Sequence, residues 1–406
     1  MGQAVWKVVA FLVSLGLVLV ACREAPTGAP APAGQQAPRV TEVGVTDDSI
    51  LLGTHQPMSG PAASYSVIPR GSEVYFKYIN DQGGVNGRKI IYKIEDDGYQ
   101  PPRTVEVVKK LVEQDKVFAI FNGLGTPTHS QVFEWLNENK IPDMYIASGA
   151  TKWTEPVRRY VFAFQPDYRV EGTLLARYAI QNLPGKKAGI FYQNDDFGKD
   201  GARWFEETLK KANYPIVARE SFEVTATDFS SQIIKLRDAR AEVVLLFCVP
   251  RPCALFLKQA EQLGYKAAFL MTAVSNDPEM FNTAGPSAME GVITLGWLPP
   301  LDDTSNPRIR QHHELLQKYA PGLQPQNFTV YGQAAAEIMV ETLRRAGRDL
   351  TREKLIEAAE SIKDWKDNIA GVAVTMGPND HRPFKAMRYM KFTGGNIIFI
   401  SDYQYE

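Results

Sequence analysis

From residue 49 onward, short apolar runs alternate with stretches whose apolar residues recur at helical spacing. The runs at 49–53, 90–94, 118–121, 144–147, 188–192, 243–247 and 268–271 have the length and content of buried strands. Between them, Val74, Tyr75, Tyr78 and Ile79 form one helical stripe, Val107, Val108, Leu111 and Val112 a second, and Val132, Trp135 and Leu136 a third. Further helices are predicted over 201–212, 229–239, 254–263, 307–319, 331–346 and 352–361, with Gly264 and Gly347 closing two of them. A repeated strand–helix rhythm predicts parallel sheets covered on both faces. The rhythm runs twice, before and after about residue 164. The expected fold class is therefore α/β, with two doubly wound parallel-sheet lobes.

Composition narrows the partner. At 406 residues the chain is too long for one average domain, and 44% hydrophobic with 22% charged residues is ordinary for a globular protein. A formal net charge of -1 argues against nucleic acid and against a polybasic membrane surface. A small molecule held in a cleft suits these values better. The N-terminus adds a location. Lys7 precedes an apolar run, 8–21, that is short for a membrane span and closes on Leu19-Val20-Ala21-Cys22. This resembles a bacterial lipoprotein signal, in which Cys22 is lipidated and becomes the mature N-terminus. Residues 1–22 are read as that signal, and residues 23–40, rich in Pro, Ala, Gly and Gln, as a disordered tether. The expectation is an exported protein, lipid-anchored on the outer face of the cytoplasmic membrane.

Candidate chemistry concentrates in residues 118–151. The strand at 118–121 runs into Gly123-Leu124-Gly125-Thr126-Pro127-Thr128, and the strand at 144–147 into Ser148-Gly149-Ala150-Thr151. In a parallel sheet both turns fall at strand carboxyl ends, where open α/β sheets bind ligands. Each offers backbone N–H groups and hydroxyls suited to a carboxylate or an amide oxygen. Two such turns one helix apart make one cradle. Capping is a compatible second role for Thr126 and Thr151. Cys248 and Cys253 straddle a strand-to-helix turn; in an exported domain they are either a disulfide or two buried thiols. The five histidines, His55, His129, His312, His313 and His381, show no metal-ligand pattern. Gly123-x-Gly125 lacks the third glycine of a dinucleotide fingerprint, and no phosphate loop or nucleophile elbow is present. Neither a cofactor nor a metal is expected.

Further motifs carry a family resemblance. Pro57-Met58-Ser59-Gly60-Pro61, the turn Gly83-Gly84-Val85-Asn86-Gly87, Ser148-Gly149-Ala150-Thr151, Asn194-Asp195-Asp196-Phe197-Gly198, Ala284-Gly285 and Glu290-Gly291 stand in order and at compatible spacing. Through them the chain, from about residue 43 to its end, resembles the type I periplasmic binding proteins, specifically the branched-chain amino acid-binding proteins of ABC importers. The resemblance implies two lobes joined by three crossovers, with 41–164 and 298–375 in the first and 165–297 and 376–406 in the second. It places Tyr65 against the ligand, and Thr126 at the ligand carboxylate with Leu124 and Gly125 beside it. It also places Ser148, Gly149 and Thr151 in a turn serving the ligand's amino and carboxylate groups.

The second lobe departs from that pattern. Phe197 stands in place of a tyrosine, and the strand end carrying Val249 lacks an aromatic hydroxyl. Ala273 falls where a glutamate neutralises the ligand ammonium. Asp195, Asp196 and Asp277 are the acids nearby in sequence. A buried ammonium without a counter-charge is costly. The implied ligand is small, largely hydrophobic and carboxylate-bearing: branched-chain amino acid-like, or an aromatic or aliphatic acid or amide. The implied protein is a monomeric, non-enzymatic solute-binding component that hands its ligand to ABC permease subunits. A ligand sensor of the same fold and, more remotely, a secreted α/β hydrolase or dehydrogenase are the alternatives.

Overall fold

The computed structural model describes residues 42–405. The signal, Cys22 and the tether lie outside the described residues. Strands β1 (Ser49–Gln56), β2 (Lys89–Asp96), β3 (Ala119–Phe121), β4 (Asp143–Ile146) and β5 (Val161–Ala163) form one sheet in the order β2-β1-β3-β4-β5, every pair parallel. The second sheet contains β6 (Ala188–Gln193), β7 (Ile216–Phe222), β8 (Val243–Phe247), β9 (Ala268–Met271) and β10 (Ile293–Gly296). Its remaining strands are β11 (Ala386–Thr393), β12 (Asn396–Phe399) and β13 (Gln404–Tyr405). Their order is β12-β11-β10-β9-β8-β6-β7, with β13 beside β11.

This second sheet is parallel from β7 to β10 and antiparallel beyond, so it is mixed rather than wholly parallel. The cause is local. Gly394 and Gly395, at φ 57° and 78°, turn β11 straight back into β12, a two-residue hairpin that needs positive φ at both positions.

The chain passes between the sheets three times. It leaves β5 for the helix Tyr168–Asn182, leaves β10 for the helix Pro307–Tyr319, and leaves the helix Arg352–Glu360 for β11. The helix Asn327–Ala346 returns to pack on the helix Val67–Asp81, beside the first sheet. Glycines allow that crossing. A Cβ at Gly71 would lie 2.2 Å from the Thr329 carbonyl oxygen, and one at Gly332 1.9 Å from that of Ile68.

Several predicted elements shift at their ends. The helix expected at 201–212 begins at Asp196, because the Asp195 carboxylate accepts the N–H groups of Phe197 and Gly198. The stretch with the stripe Val107, Val108, Leu111 and Val112 is α-helical over Pro101–Lys109 and then widens into a π-helical turn, Lys110–Gln114.

In each sheet the chain order reverses beside its first strand, β1 between β2 and β3, and β6 between β7 and β8. Such switch points open a crevice at the carboxyl ends of the strands.

Candidate ligand-binding site

A cavity of about 330 Å³ lies where the two crevices meet. From the first sheet it takes Leu124, Gly125 and Thr126 after β3 and Ala147 after β4, with Tyr65 from the turn Ala63–Ser66. From the second sheet it takes Phe197 after β6, Val249 after β8 and Ala273 after β9. Gln165, Trp297 and Tyr331 come from the crossovers and the long returning helix, and Met387, Met390 and Ile397 from β11 and β12. Its walls are mainly aromatic and aliphatic. Among the described residues no lysine or arginine lines it, and Asp302 and His313 are the only lining acid and histidine.

The first turn is built to face the cavity. Gly125 takes φ 106°, and a Cβ there would meet Thr128 Oγ1 at 2.4 Å, so glycine is required at this bend. Behind the turn stands a buried row of four side chains. Asp97 Oδ2 lies 2.8 Å from His55 Nδ1, His55 Nε2 2.8 Å from His129 Nδ1, and His129 Nε2 2.7 Å from Asp143 Oδ2. All four residues are fully buried, and they are strung in a line rather than gathered around a point. Which ring nitrogens donate depends on the tautomers, and burial pushes the pKa of His55 below its ordinary value. Gly123 passes directly over it, since a Cβ there would lie 2.6 Å from His55 Nε2. The histidine spacing in the sequence gave no hint of this row, whose members meet only through the sheet.

Ser148, Gly149 and Thr151 are not among the residues that line the cavity, although Ala147, directly before them, is. Ser148 Oγ accepts the N–H groups of Trp153 Nε1, at 3.0 Å, and Ala150, at 3.3 Å, and shares a hydrogen bond with Thr126 Oγ1 at 2.7 Å. Gly149 lies under Tyr168, whose N–H donates to the Gly149 carbonyl at 2.6 Å. Thr151 gives its N–H, at 3.0 Å, and its hydroxyl, at 3.1 Å, to the Asp200 carboxylate.

On the far wall Tyr65 donates to the Val274 carbonyl at 3.0 Å and meets Phe328 edge-on at 5.0 Å between ring centroids. Phe197 packs between Tyr168 and Phe247 while still lining the cavity. None of Asp195, Asp196 and Asp277 does so. Asp195 caps its helix, Asp196 pairs with Lys152 at 2.7 Å, and Asp277 accepts the Phe328 N–H at 3.2 Å.

The acid nearest to Ala273 is Glu171, from the helix Tyr168–Asn182. Its Oε1 accepts the Ala273 N–H at 2.8 Å, its Oε2 has no hydrogen-bond partner, and burial pushes its pKa up to about 7. Burial likewise pushes Asp277 up to about 7. Cys248 and Cys253 are joined as a disulfide, which ties the end of β8 to the helix Pro250–Gln262 beside Val249.

The residues missed from the sequence are mostly aromatics, Tyr99 and Trp297 on connections after strands and Tyr168, Phe328 and Tyr331 in helices, together with Gln165. Tyr99 alone carried a signal, because it follows Asp96-Asp97-Gly98 at the carboxyl end of β2, where the crevice rule applies.

Two doubly wound sheets that meet at their switch points around an apolar cavity define a two-lobed ligand-binding protein. The sequence model described as periplasmic binding protein matches residues 49–396, and the chain belongs to that family. The Leu/Ile/Val-binding protein homolog 1 of Brucella suis is 30% identical over 321 residues, covering 78% of this chain and 82% of that one. Among solved structures, a branched-chain amino acid ABC transporter protein from Thermus thermophilus with bound valine superposes with a TM-score of 0.82 at 22% identity. It covers 89% of this chain and 98% of that one. A fatty acid ABC transporter substrate-binding protein from Thermomonospora curvata gives 0.80 at 23%, covering 90% and 95%. Among the described residues no helix is long and apolar enough to cross a membrane.

Proposed function

We propose that this protein is the extracytoplasmic solute-binding component of an ABC importer, working as a monomer tethered to the membrane through a lipid on Cys22. The observation that carries the reading is the apolar cavity between the two sheets, roofed by residues of both. Ligand enters while the lobes are apart, and closure then hides it, a hinge motion about the three crossovers. The contacts across the cleft, Tyr65 to the Val274 carbonyl and Asn327 Nδ2 to the Asn276 carbonyl at 3.0 Å, hold the closed form that the permease receives.

The ligand is small and largely hydrophobic, an aromatic or aliphatic acid or amide. Thr126 meets its polar end and the aromatic walls its body. An ammonium group is disfavoured, because no acid lines the cavity beside Ala273 and the buried Glu171 is already turned onto the Ala273 N–H. Relatives named as leucine-, isoleucine- and valine-binding support the transport role. Deleting the gene should abolish uptake of the ligand by cells; uptake that persists at the same rate would overturn the proposal. For the anchor, Cys22→Ala should release the protein from the membrane fraction.

A further inference from the structure

The turn after β4 carries the donors of a carboxylate site, and a carboxylate of this protein already fills it. Asp200 stands one turn into the helix Asp196–Lys211, which follows β6 of the second sheet, whereas Thr151 follows β4 of the first. Their contact therefore crosses the cleft. Asp200 Oδ2 accepts the Thr151 N–H at 3.0 Å and the Thr151 hydroxyl at 3.1 Å. Asp200 Oδ1 lies 3.3 Å from the same hydroxyl and accepts Trp204 Nε1–H at 3.1 Å. A backbone N–H and a hydroxyl from one residue converging on a carboxylate are the means by which such a turn would hold an acidic ligand. Here both are taken.

Arg203, a cation of the same helix, acts on the Asp200 carboxylate itself. Asp195 and Asp196 begin the same helix, Asp196 is paired with Lys152, and among the described residues the cavity has no lysine or arginine in its lining.

We propose that Asp200 is the resident carboxylate of this turn and a specificity-determining residue. It closes the lobes on each other by occupying the donors that a ligand carboxylate would otherwise take. The ligand is thereby limited to compounds whose single polar end is met by the first turn, and α-amino acids, which need a second polar site, are turned away. This limit on the ligand rests on the solute-binding reading above, while the occupancy of the turn does not.

The test is hydrogen exchange at the Thr151 amide in the whole, ligand-free protein. In Asp200→Ala that amide should exchange about tenfold faster or more than in the unaltered protein, since its acceptor is gone. Acetate, compared with chloride at matched ionic strength, should restore protection in Asp200→Ala and change nothing in the unaltered protein. Asp200→Asn, which keeps one acceptor oxygen, should fall between the two and serves if the alanine variant does not fold. Equal exchange in the unaltered and variant proteins, or a faster exchange that acetate leaves unchanged, would overturn the proposal. No transported ligand enters the measurement, so its failure would remove Asp200 from recognition and leave the transport reading standing.

Discussion

The turns after β3 and β4 are alike in sequence and opposite in use. Each follows a buried strand, each consists of small residues, and each presents a threonine. The first faces the cavity, held from behind by the buried Asp97–His55–His129–Asp143 row. The second is occupied from in front, by Asp200 of the other lobe. The difference lies in neither turn. The row behind the first turn is tied together by bonds between residues 14, 42 and 74 positions apart, and the second turn meets a residue 49 positions from Thr151. Local chemistry shows what a turn can bind, and tertiary partners decide whether it is free to do so.

The comparison can be broken most forcibly from behind the first turn. His55→Phe removes two hydrogen bonds of the row and leaves Asp97 buried short of a partner. The expected loss of stability is about 3–5 kcal/mol, as for other buried pairs deprived of one member. Denaturant titration measures it, and a loss below about 1 kcal/mol would mean that the row does not support the turn.

Next in size is the far wall. Glu171 is an acid whose folded pKa, about 7, lies above its ordinary 4.5. Between those values the folded state holds a proton that the unfolded state has released, so stability falls as pH rises through this window. Glu171→Gln should leave stability unchanged at pH 4 and raise it above pH 7, by up to about 3 kcal/mol at 1.36 kcal/mol per unit. Melting curves at the two pH values decide this. A variant equally or less stable above pH 7 would show that the unpaired Oε2 costs the fold nothing.

A direct contrast of the turns is smaller. Thr126→Ala should weaken ligand binding by about 1–3 kcal/mol, the cost of a buried polar partner left unpaired. Thr151→Ala keeps the N–H that Asp200 accepts, loses only the hydroxyl, and should cost under about 1 kcal/mol in affinity. Calorimetry on both variants tests the pair, and the reverse order of effects would return Thr151 to the binding site. Smallest of all is Lys152→Ala. It removes an ion pair whose members are 34% and 58% exposed, and a change of about 0.2–1 kcal/mol is expected in thermal unfolding.

Much of the fold was legible in the sequence, for identifiable reasons. The strands Val243–Phe247 and Ala268–Met271 and the helix Pro307–Tyr319 fall at their predicted bounds because uninterrupted apolar runs or a clean helical stripe meet sharp turn signals there. The helix Tyr168–Asn182 showed no stripe, because Glu171, Gly172, Thr173, Leu174 and Leu175 are buried in succession around it. β11 and β12 lack the βα rhythm altogether and depend on a glycine hairpin.

In the site, the crevice rule pointed to Leu124 to Thr126, whereas Phe197, Val249 and Ala273 came from the family resemblance; all of them line the cavity. Gln165 and Trp297 lie on crossovers, where no periodicity marks them. Nothing in Thr151 or its neighbours announces Asp200, and nothing local to Ala273 announces Glu171.

The account stands most directly on what raises the melting temperature of the purified protein, because a ligand that binds only the folded state stabilises it by mass action. A panel of amino acids, aromatic and aliphatic acids, and amides would serve. The predicted result is a shift with hydrophobic acids or amides that lack an ammonium group, and none with leucine, isoleucine or valine. A shift led by those three amino acids, or none from any apolar compound, would contradict it.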